Sequence, residues 1–344
     1  MRIAIWLSGL AALLVVLFSM SPGVAVAGST PSMTNRLELP LHFKFINGTA
    51  RLWTPISIGG SRTVEATIDT GSVGLLVLPS AITDTANLPN LGGFRSSFGG
   101  GDSLIGLKTH ATIAFGENGA SADVPFGYIT SAECIPQKPD CPAGKSAFQD
   151  YLIANEGLPG VGFKAILGVG MGSSTIGHPL TSIGVSRWIV VIPIPGIKDV
   201  GRLILNPDDA DLAGFKIFDA GIAFAEPQGV LTGAFPGCLL VRGTGERLCV
   251  PICLDTGAAG LTLVTEDEQQ FRRVQAGGQF TFEFGNGSDK LSFDLDIPPV
   301  GFTLAAPEPD PESPRNLLFA GIRPYLFYEV LYDSNNKQVG LKPR

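Results

Sequence analysis

Two copies of one short motif constrain the fold of this chain more than any other feature of its sequence. The first copy is Ile68-Asp69-Thr70-Gly71-Ser72 and the second is Leu254-Asp255-Thr256-Gly257-Ala258. Each follows an apolar, strand-like stretch and precedes another, at residues 73–77 and 259–263. A strand that ends in Asp-Thr-Gly places a carboxylate on a tight turn, where the glycine permits close backbone approach and its N–H can bind the carboxylate. The duplication therefore predicts two similar β units, each presenting one acid.

If the two turns are related by pseudo-symmetry, the carboxylates of Asp69 and Asp255 lie side by side. Both then cannot ionise together, so the pair shares one proton over a wide pH range. One carboxylate can act as general base on a water molecule while the other, protonated, polarises a carbonyl group. Asp69 and Asp255 are therefore candidate catalytic residues. A simpler interpretation, that these are only turns of a structural domain, predicts carboxyl groups more than about 7 Å apart, beyond hydrogen-bond reach.

The composition favours a protein of many short strands. The chain has 344 residues, with 44 Gly, 26 Pro and only 16% charged residues, which argues against coiled coils and long exposed helices. A hydrophobic fraction of 44% argues against wholesale disorder. The net charge of −7 contains no block of like charges, and a nucleic-acid partner, which would favour a basic face, is not expected.

Local patterns agree with this fold class. The strongest helix signal runs from Ser146 to Asn155, with apolar residues on one face. Residues 306–311 contain three prolines and predict a loop, because proline lacks the donor that a helix or central strand needs. The strands predicted from period-two alternation are 54–60, 64–68, 280–284 and 291–295.

The first 27 residues have the features of a signal peptide. Arg2 forms a short positive region, residues 3–20 are an apolar run, and Ala25-Val26-Ala27 is a small-x-small cleavage site. An uncleaved anchor is the competing interpretation, because the run approaches the length that spans a bilayer. Ser21-Pro22-Gly23 breaks a helix just before the site and favours cleavage. We expect an exported chain, periplasmic or secreted, without a stable membrane anchor.

Four of the five cysteines form two plausible disulfide pairs, which agrees with export. Cys134 and Cys141 enclose a proline-rich loop, and Cys238 and Cys249 flank a turn that could fold a hairpin. Cys253 is left over, either as a reactive thiol or as a small buried hydrophobe. Zinc is the rival explanation, but the chain has no C-x-x-C motif and its three histidines are scattered, so no metal site is expected.

Several segments outside the two motifs resemble the pepsin-like, two-lobed aspartic proteases, particularly their divergent bacterial members. The likeness covers roughly residues 40 to 344. It is strong at five places and weak between them. Besides the two motifs, the similar segments are the flap-like hairpin 98–103 through 113–116, the hydrophobic-hydrophobic-Gly element 165–170, and the closing strands 319–323, 328–333 and 335–341.

This resemblance implies an all-β, two-lobed pepsin-like acid protease fold with pseudo-twofold symmetry and an active-site cleft between the lobes. After the signal peptide at 1–27, the N-terminal lobe would span 28–200 and the C-terminal lobe 201–344. The implied activity is that of an aspartic endopeptidase, in which water activated between Asp69 and Asp255 attacks the peptide bond without cofactor or metal. Its partner would be a peptide or protein substrate in extended conformation, bound by backbone pairing. We expect a monomer.

The resemblance also assigns roles to the residues around the two acids. The remaining motif residues would support the active-site loops: Thr70, Gly71, Ser72, Thr256, Gly257 and Ala258. The residues assigned to the flap, which closes over substrate, are Phe98, Gly99, Gly100, Gly101 and Asp102.

Two of these positions depart from the family pattern. Phe98 stands where the family usually has a tyrosine, so the flap loses a hydroxyl donor. Ala258 stands where the second motif usually has Thr or Ser. Without that hydroxyl the ionised form has one hydrogen bond fewer, which should raise the apparent pKa of the pair and move activity toward less acidic pH. Ser72 is retained in the first motif and could bond Asp69.

Three alternatives from other classes were weighed. Gly101-Asp102-Ser103-Leu104 has the form of a nucleophile motif of secreted esterases, but no histidine lies beyond His178 to serve as its base. The glycine-rich segment 168–172 lacks the βαβ context of dinucleotide binding. The main alternative is a catalytically weak or inactive pepsin-fold module that binds peptide or protein, motivated by Phe98 and Ala258.

Overall fold

The computed structural model of the protein describes residues 35–116, 120–194, 196–220, 222–226, 229–285, 290–297, 301–305 and 316–344. The predicted signal peptide and the proline-rich segment 306–311 lie outside these ranges. Within them the chain is predominantly β and forms two large sheets, as the composition predicts. In the same part of the chain, no helix is both long and apolar enough to cross a bilayer.

The described residues contain 22 strands, numbered here in chain order. They are β1 (Leu37–Ile46), β2 (Thr49–Ile58), β3 (Val64–Asp69), β4 (Val73–Val77), β5 (Gly93–Ser97), β6 (Asp102–Phe115), β7 (Ser121–Cys134), β8 (Ala165–Val169), β9 (Gly172–Ser174), β10 (Arg187–Val191), β11 (Gly201–Leu205), β12 (Lys216–Asp219), β13 (Ile222–Glu226), β14 (Gly229–Val241), β15 (Arg247–Cys253), β16 (Leu261–Thr265), β17 (Gln279–Phe284), β18 (Leu291–Asp296), β19 (Phe302–Ala305), β20 (Asn316–Phe319), β21 (Tyr328–Asp333) and β22 (Gln338–Pro343). The strands predicted at 54–60, 64–68, 280–284 and 291–295 are confirmed as β2, β3, β17 and β18.

Helices are short. In the part of the chain that the structure describes, two are α-helical, α1 (Asp209–Leu212) and α2 (Glu268–Gly277). The 3-10 turns whose bounds are described there are Pro79–Ala81, Pro142–Lys145, Phe148–Asp150, Thr181–Ile183 and Arg323–Leu326. The sequence interpretation missed α2, although its ends carry ordinary signals. Asp267 caps its first turn by accepting from the Gln270 N–H (2.8 Å), and Gly278 ends it in the left-handed conformation at φ 66°.

The larger sheet has 13 strands in the order β12-β22-β21-β10-β11-β1-β2-β3-β8-β4-β7-β6-β5. The smaller sheet has nine, with β18-β17-β14-β15-β20-β16-β19 as its path and β13 and β9 paired to β14. Strands near the centre of the larger sheet are covered on both faces, so they read as continuous apolar runs rather than alternating ones. β8, with the sequence AILGV, is buried at every residue. One hydrophobic core contains side chains of both sheets, including Leu167, Trp188, Leu263 and Phe282.

The same strand arrangement occurs around each Asp-Thr-Gly motif. β8 lies between β3 and β4, parallel to the first and antiparallel to the second. β20 lies between β15 and β16 with the same two directions. A parallel neighbour then extends each set, β7 beside β4 and β19 beside β16. The element at 165–170, which the sequence placed behind the first motif, is therefore β8, and its counterpart behind the second motif is β20.

The helix predicted at 146–155 is wrong. Only Phe148–Asp150 forms a 3-10 turn, and Ile153 instead pairs with Phe163 in an isolated bridge. Ala154 and Glu156 then take left-handed backbone conformations, at φ 53° and 50°. Pairing and burial of the apolar side chains in the tertiary structure outweigh the local helical pattern, whose propensity differences are well under 1 kcal/mol per residue.

The lobe boundary at residue 200 stays a prediction. The larger sheet draws on both sides of it, because β11, β12, β21 and β22 follow residue 200 and pair with strands that precede it or with one another. β9 in turn pairs with β14 of the smaller sheet. The two halves of the sequence are therefore interleaved in the strand order.

Both predicted disulfides are present. Cys134 and Cys141 are joined with a Cα–Cα distance of 5.5 Å, and Cys238 and Cys249 with one of 4.0 Å. The second bridge joins directly paired residues of β14 and β15, as the hairpin interpretation predicted. Cys253 is buried at the end of β15, which agrees with the interpretation of a small buried hydrophobe.

Candidate active site

The two motif aspartates lie at the ends of equivalent strands. Asp69 is the last residue of β3, and Asp255 follows the end of β15 by two residues. Each motif then turns back into the next strand of its set, β4 or β16. The Asp69 side chain is buried and that of Asp255 is half-buried. The strand pattern thus brings one acid from each half of the chain to one place.

The two motif loops interlock through their threonines, which exchange equivalent hydrogen bonds. The Thr70 N–H donates to Thr256 Oγ1 (3.1 Å), and the Thr256 N–H donates to Thr70 Oγ1 (2.9 Å). Each hydroxyl in turn donates across the junction, Thr70 to the Leu254 carbonyl (3.0 Å) and Thr256 to the Ile68 carbonyl (2.9 Å). Both threonines are almost fully buried. Four bonds between segments 186 residues apart therefore hold the two loops in register.

The carboxyl groups of Asp69 and Asp255 are within hydrogen-bonding contact of each other. The motif glycines make this approach possible. A Cβ at Gly71 would overlap the Asp255 carboxyl, and a Cβ at Gly257 would overlap that of Asp69. The interpretation of two unrelated structural turns predicted well-separated carboxyls, and this contact argues against it.

The two acids receive different numbers of hydrogen bonds from their own loops. Asp69 accepts from the Gly71 N–H (2.8 Å) and from the Ser72 hydroxyl (2.7 Å). Asp255 accepts from the Gly257 N–H (2.7 Å), while Ala258 supplies no hydroxyl at the position that matches Ser72. Asp69 therefore accepts one hydrogen bond more from its own loop than Asp255 does.

Burial raises the pKa of Asp255 well above its usual value, and the neighbouring charge of Asp69 and the hydrogen bond with it raise it further. The Gly257 N–H and the positive charge of Arg51 oppose this shift and do not cancel it. Because the two groups interact strongly, the titration belongs to the pair. The arrangement therefore favours one negative charge and one proton shared between the two acids.

A buried chain of hydroxyl groups supports the loops from below. Thr70 Oγ1 lies 2.8 Å from the Tyr325 hydroxyl, which hydrogen-bonds the Tyr332 hydroxyl. Tyr332 also donates to the Leu254 carbonyl, at 3.5 Å. Burial raises the pKa of both tyrosines, so they remain protonated donors. The resemblance placed Tyr332 in a closing strand but gave no place to Tyr325, whose contact with Thr70 could not be predicted from spacing.

The side chain of Arg51, on β2, contacts the loop of the second motif. It donates to the Gly257 carbonyl, and the same guanidinium binds the Glu156 carboxylate, with Nε 2.9 Å from Oε1. The side chains of Arg51 and Glu156 are only 15% and 24% exposed. Sequence interpretation missed both residues, since 105 positions separate them and neither belongs to a recognisable motif.

The flap-like hairpin predicted over 98–103 through 113–116 does not have these bounds, because Asp102–Phe115 form one continuous strand, β6. The turn that contains Phe98 and Gly101 instead joins β5 to β6. β5 and β6 pair antiparallel and are joined by the turn at 98–101, in which the Gly101 N–H donates to the Phe98 carbonyl (2.8 Å). The loop closed by Cys134–Cys141 holds this turn: Lys138 Nζ donates to the Gly99 carbonyl (2.5 Å), and the Ile135 N–H to that of Gly101 (2.8 Å). Gly99 and Gly100 are exposed, and Phe98 is half-buried against a hydrophobic cluster of this half of the chain.

Asp102 lies at the base of that hairpin and faces inward. It accepts from the Ala143 N–H (2.8 Å) and the Tyr151 hydroxyl (3.1 Å), and burial raises its pKa. Ser103, the nucleophile of the esterase-like motif, is fully buried and bonded to Arg95 and Ser97. The glycine-rich segment 168–172 runs from β8 directly into β9, so it lacks the helix that a dinucleotide site needs.

Among the described residues, no cluster of three or more His, Cys, Asp or Glu side chains is placed to hold a metal ion. The protein groups of the site are two acids in contact, in an arrangement that favours one shared proton. Such a pair can accept a proton from water and donate one to a carbonyl oxygen in the same step.

Comparison with known proteins adds no assignment. No protein-family model matches the sequence, and no curated protein is significantly similar to it. Function is accordingly inferred from the site itself.

Proposed function

We propose that this chain is an exported aspartic endopeptidase of the two-lobed pepsin-like type, which hydrolyses peptide bonds with water activated between Asp69 and Asp255. The observation that carries the proposal is the contact between the two carboxyl groups on interlocked Asp-Thr-Gly loops. The repeated strand arrangement around the motifs supports a pseudo-twofold relation between two lobes. The two disulfides are compatible with export, since such bonds persist in oxidising compartments.

The difference in hydrogen bonding assigns the two roles. Asp69, with two donors, carries the negative charge and takes a proton from the attacking water. Asp255, whose pKa is raised, gives its proton to the carbonyl oxygen of the peptide bond, which yields a gem-diol. In the second step Asp69 returns its proton to the amide nitrogen and Asp255 recovers one from a gem-diol hydroxyl. The C–N bond then breaks, and the pair regains its starting state.

Substrate would bind in extended form in the cleft between the lobes, beneath the hairpin turn at 98–101. Backbone groups pair with an extended peptide, and pockets for alternate side chains provide specificity. Phe98 would contribute apolar contact there and no hydrogen bond, so the flap's role is to exclude water and pack on the substrate. Asp102, with its carboxylate directed inward, would stabilise the base of the hairpin.

The test measures whether the mature chain cleaves a denatured protein between about pH 3 and pH 6. A pepstatin-type inhibitor should block this cleavage. Asp69→Asn and Asp255→Asn should each lower kcat by about 10²- to 10⁴-fold, the usual contribution of a general acid or base. Asp140→Asn, an exposed aspartate in the disulfide-closed loop, is the matched control and should keep full activity. Equal activity of wild type and Asp69→Asn would show that the mechanism is wrong.

A peptide-binding module with little turnover remains the second candidate, favoured by the absent hydroxyl at Ala258 and by the guanidinium that occupies the Gly257 carbonyl. The same variants separate the two. An inactive wild-type protein whose affinity for peptides is unchanged in Asp255→Asn would support the binding module.

A further inference from the structure

The Gly257 carbonyl belongs to the loop that carries Asp255. It accepts a hydrogen bond from a residue in the other half of the chain. Arg51 lies 206 residues earlier, on β2, and donates to this carbonyl from a side chain that is mostly buried. A charged donor to a carbonyl gives a stronger hydrogen bond than a neutral one. Removing it would leave a partly buried acceptor beside the acid pair without its partner.

Glu156 fixes the other side of the Arg51 guanidinium. Two guanidinium nitrogens bind Glu156 Oε1, which restricts the orientation of the planar group. The segment that delivers Glu156 is strained, because Glu156 has φ 50° and Ala154, two residues earlier, has φ 53°. Non-glycine residues adopt this backbone conformation at a cost in free energy and persist in it where surrounding contacts hold them. The buried Asn155 contributes by accepting from the Gly157 N–H, at 2.8 Å.

We propose that Arg51, held by Glu156, is a positioning residue of the Asp69–Asp255 site, which fixes the second motif loop through the Gly257 carbonyl and balances the negative charge of the acid pair. The kinetic part of this inference rests on the proposed peptidase function. Its electrostatic part concerns the charge state of the pair and is measurable without turnover.

The charges around the pair define the expected direction of each change. Asp69 raises the pKa of Asp255 and Arg51 lowers it. Glu156 partly neutralises Arg51 and also acts on the inward-facing carboxyl of Asp102. The hydroxyl of Tyr332 also interacts with Asp255, and it remains protonated because burial raises its pKa. Arg51 is therefore the cation that acts on Asp255 among these groups.

The test compares the pH dependence of kcat/KM in Arg51→Gln, Arg51→Lys and Glu156→Gln. The alkaline limb reports loss of the proton from Asp255, so loss of the cation in Arg51→Gln should move the alkaline limb to higher pH by about one unit, which is a tenfold gain of kcat/KM on the alkaline side. Glu156→Gln removes the opposing charge and should move that limb to lower pH. Arg51→Lys keeps the positive charge but loses the planar guanidinium with its fixed donors. The pH of the limb should therefore stay unchanged while kcat falls.

Arg247→Gln is the matched control, because Arg247 forms a comparable ion pair with Glu283 at the far end of β15. It should leave the pH profile unchanged. Shifts of Arg51→Gln and Glu156→Gln in opposite directions support the proposal, since mere loosening of the fold would lower activity in both without opposite shifts. If the limb stays in place in both variants, the proposal is wrong.

A second measurement separates this proposal from the peptidase assignment. NMR of selectively ¹³C-labelled aspartate reports the titration of the Asp69–Asp255 pair, and its apparent pKa should rise in Arg51→Gln and fall in Glu156→Gln. An inactive wild-type protein would refute the peptidase function, while these two shifts would still support the role of Arg51. An unchanged apparent pKa of the acid pair in the folded Glu156→Gln and Arg51→Gln variants would refute the role of Arg51. If Arg51→Gln does not fold, the result for Glu156→Gln alone decides whether Arg51 has this role.

Discussion

At the scale of single residues, the difference between the two acids depends on one oxygen atom. Ser72 donates to Asp69, and Ala258, at the matching position of the second loop, has nothing to donate. Each acid also accepts from one glycine N–H of its own loop, at 2.8 and 2.7 Å. A single methyl group in place of a hydroxymethyl group therefore biases which acid carries the proton.

We expect Ala258→Ser to restore a donor to Asp255 and to lower the apparent pKa of the pair. The alkaline limb of the kcat/KM profile, which reports loss of the Asp255 proton, should then move to lower pH by about half a unit to one unit, because a hydrogen bond to the ionised form favours it. Ser72→Ala removes the equivalent donor from Asp69 and should move the acidic limb to higher pH. Profiles measured between pH 2.5 and 7 test both changes, and movement of the same limb in both variants would contradict the asymmetric roles.

At the scale of elements, the segment after β9 is held by a buried histidine. His178 Nδ1 accepts from the N–H groups of Leu180 (3.1 Å) and Thr181 (3.3 Å), while Nε2–H donates to the Gly170 carbonyl (3.0 Å). The Gly170 N–H in turn donates to the Ser72 carbonyl, at 2.8 Å. A neutral ring is required, since a protonated Nδ1 could no longer accept. His178 thus connects the 3-10 turn at 181–183 to the first motif loop.

This histidine should make the protein less stable in acid. Burial lowers the pKa of His178 from 6.5 to about 4, so between these values the unfolded chain takes up a proton that the folded chain does not. The contribution of the neutral His178 ring to the free energy of unfolding should therefore be fully present above about pH 6.5. As the pH decreases to about 4, the free energy of unfolding should fall by about 3 kcal/mol.

Urea unfolding of wild type and His178→Asn across this pH range measures the effect. The asparagine oxygen can accept from the same N–H groups but does not titrate, so the variant should lose this part of the pH dependence while being less stable at pH 7 through lost packing. An equal slope of stability against pH in the two proteins would show that His178 is not the responsible group.

At the scale of the whole molecule, the two sheets are joined where the acids meet. The larger sheet takes strands from both ends of the chain, and the Thr70–Thr256 bonds connect it to the smaller sheet. Within the larger sheet Trp188 of β10 stacks on Tyr332 of β21, with ring centroids 5.8 Å apart, and Tyr332 donates to the Leu254 carbonyl beside the second acid. The stability of the molecule and the geometry of the acid pair therefore depend on the same contacts.

Thr70→Val and Thr256→Val should each lower the free energy of unfolding by about 1 to 3 kcal/mol, because each leaves buried backbone groups without partners. The double variant should lose less than the sum, with a coupling of about 0.5 kcal/mol or more, since both changes open one junction. Thr54→Val is the control: the buried Thr54 hydroxyl has no hydrogen-bond partner among the described residues, so its removal should be neutral or stabilising. Strict additivity in chemical unfolding would contradict a shared junction.

Much of this molecule could be predicted from local patterns. The β class, the four alternating strands, the two acid turns and both disulfides follow from signals within about fifteen residues of one another. The helix predicted at 146–155 failed because the bridge between Ile153 and Phe163 and burial of the neighbouring apolar side chains outweighed a local preference. The helix α2 was missed despite its capping residues Asp267 and Gly278.

The sequence by itself determined which chemical groups are present: two acids on glycine turns, one hydroxyl beside Asp69 and none beside Asp255. Tertiary structure alone decided that these acids touch, that Tyr325 and Tyr332 lie beneath Thr70, and that Arg51 reaches Gly257. The physical reason is the separation along the chain over which each kind of interaction acts. Turn and strand preferences act between near neighbours in the chain, whereas the charge, burial and hydrogen bonding that set the state of the acid pair come from residues as many as 255 positions apart.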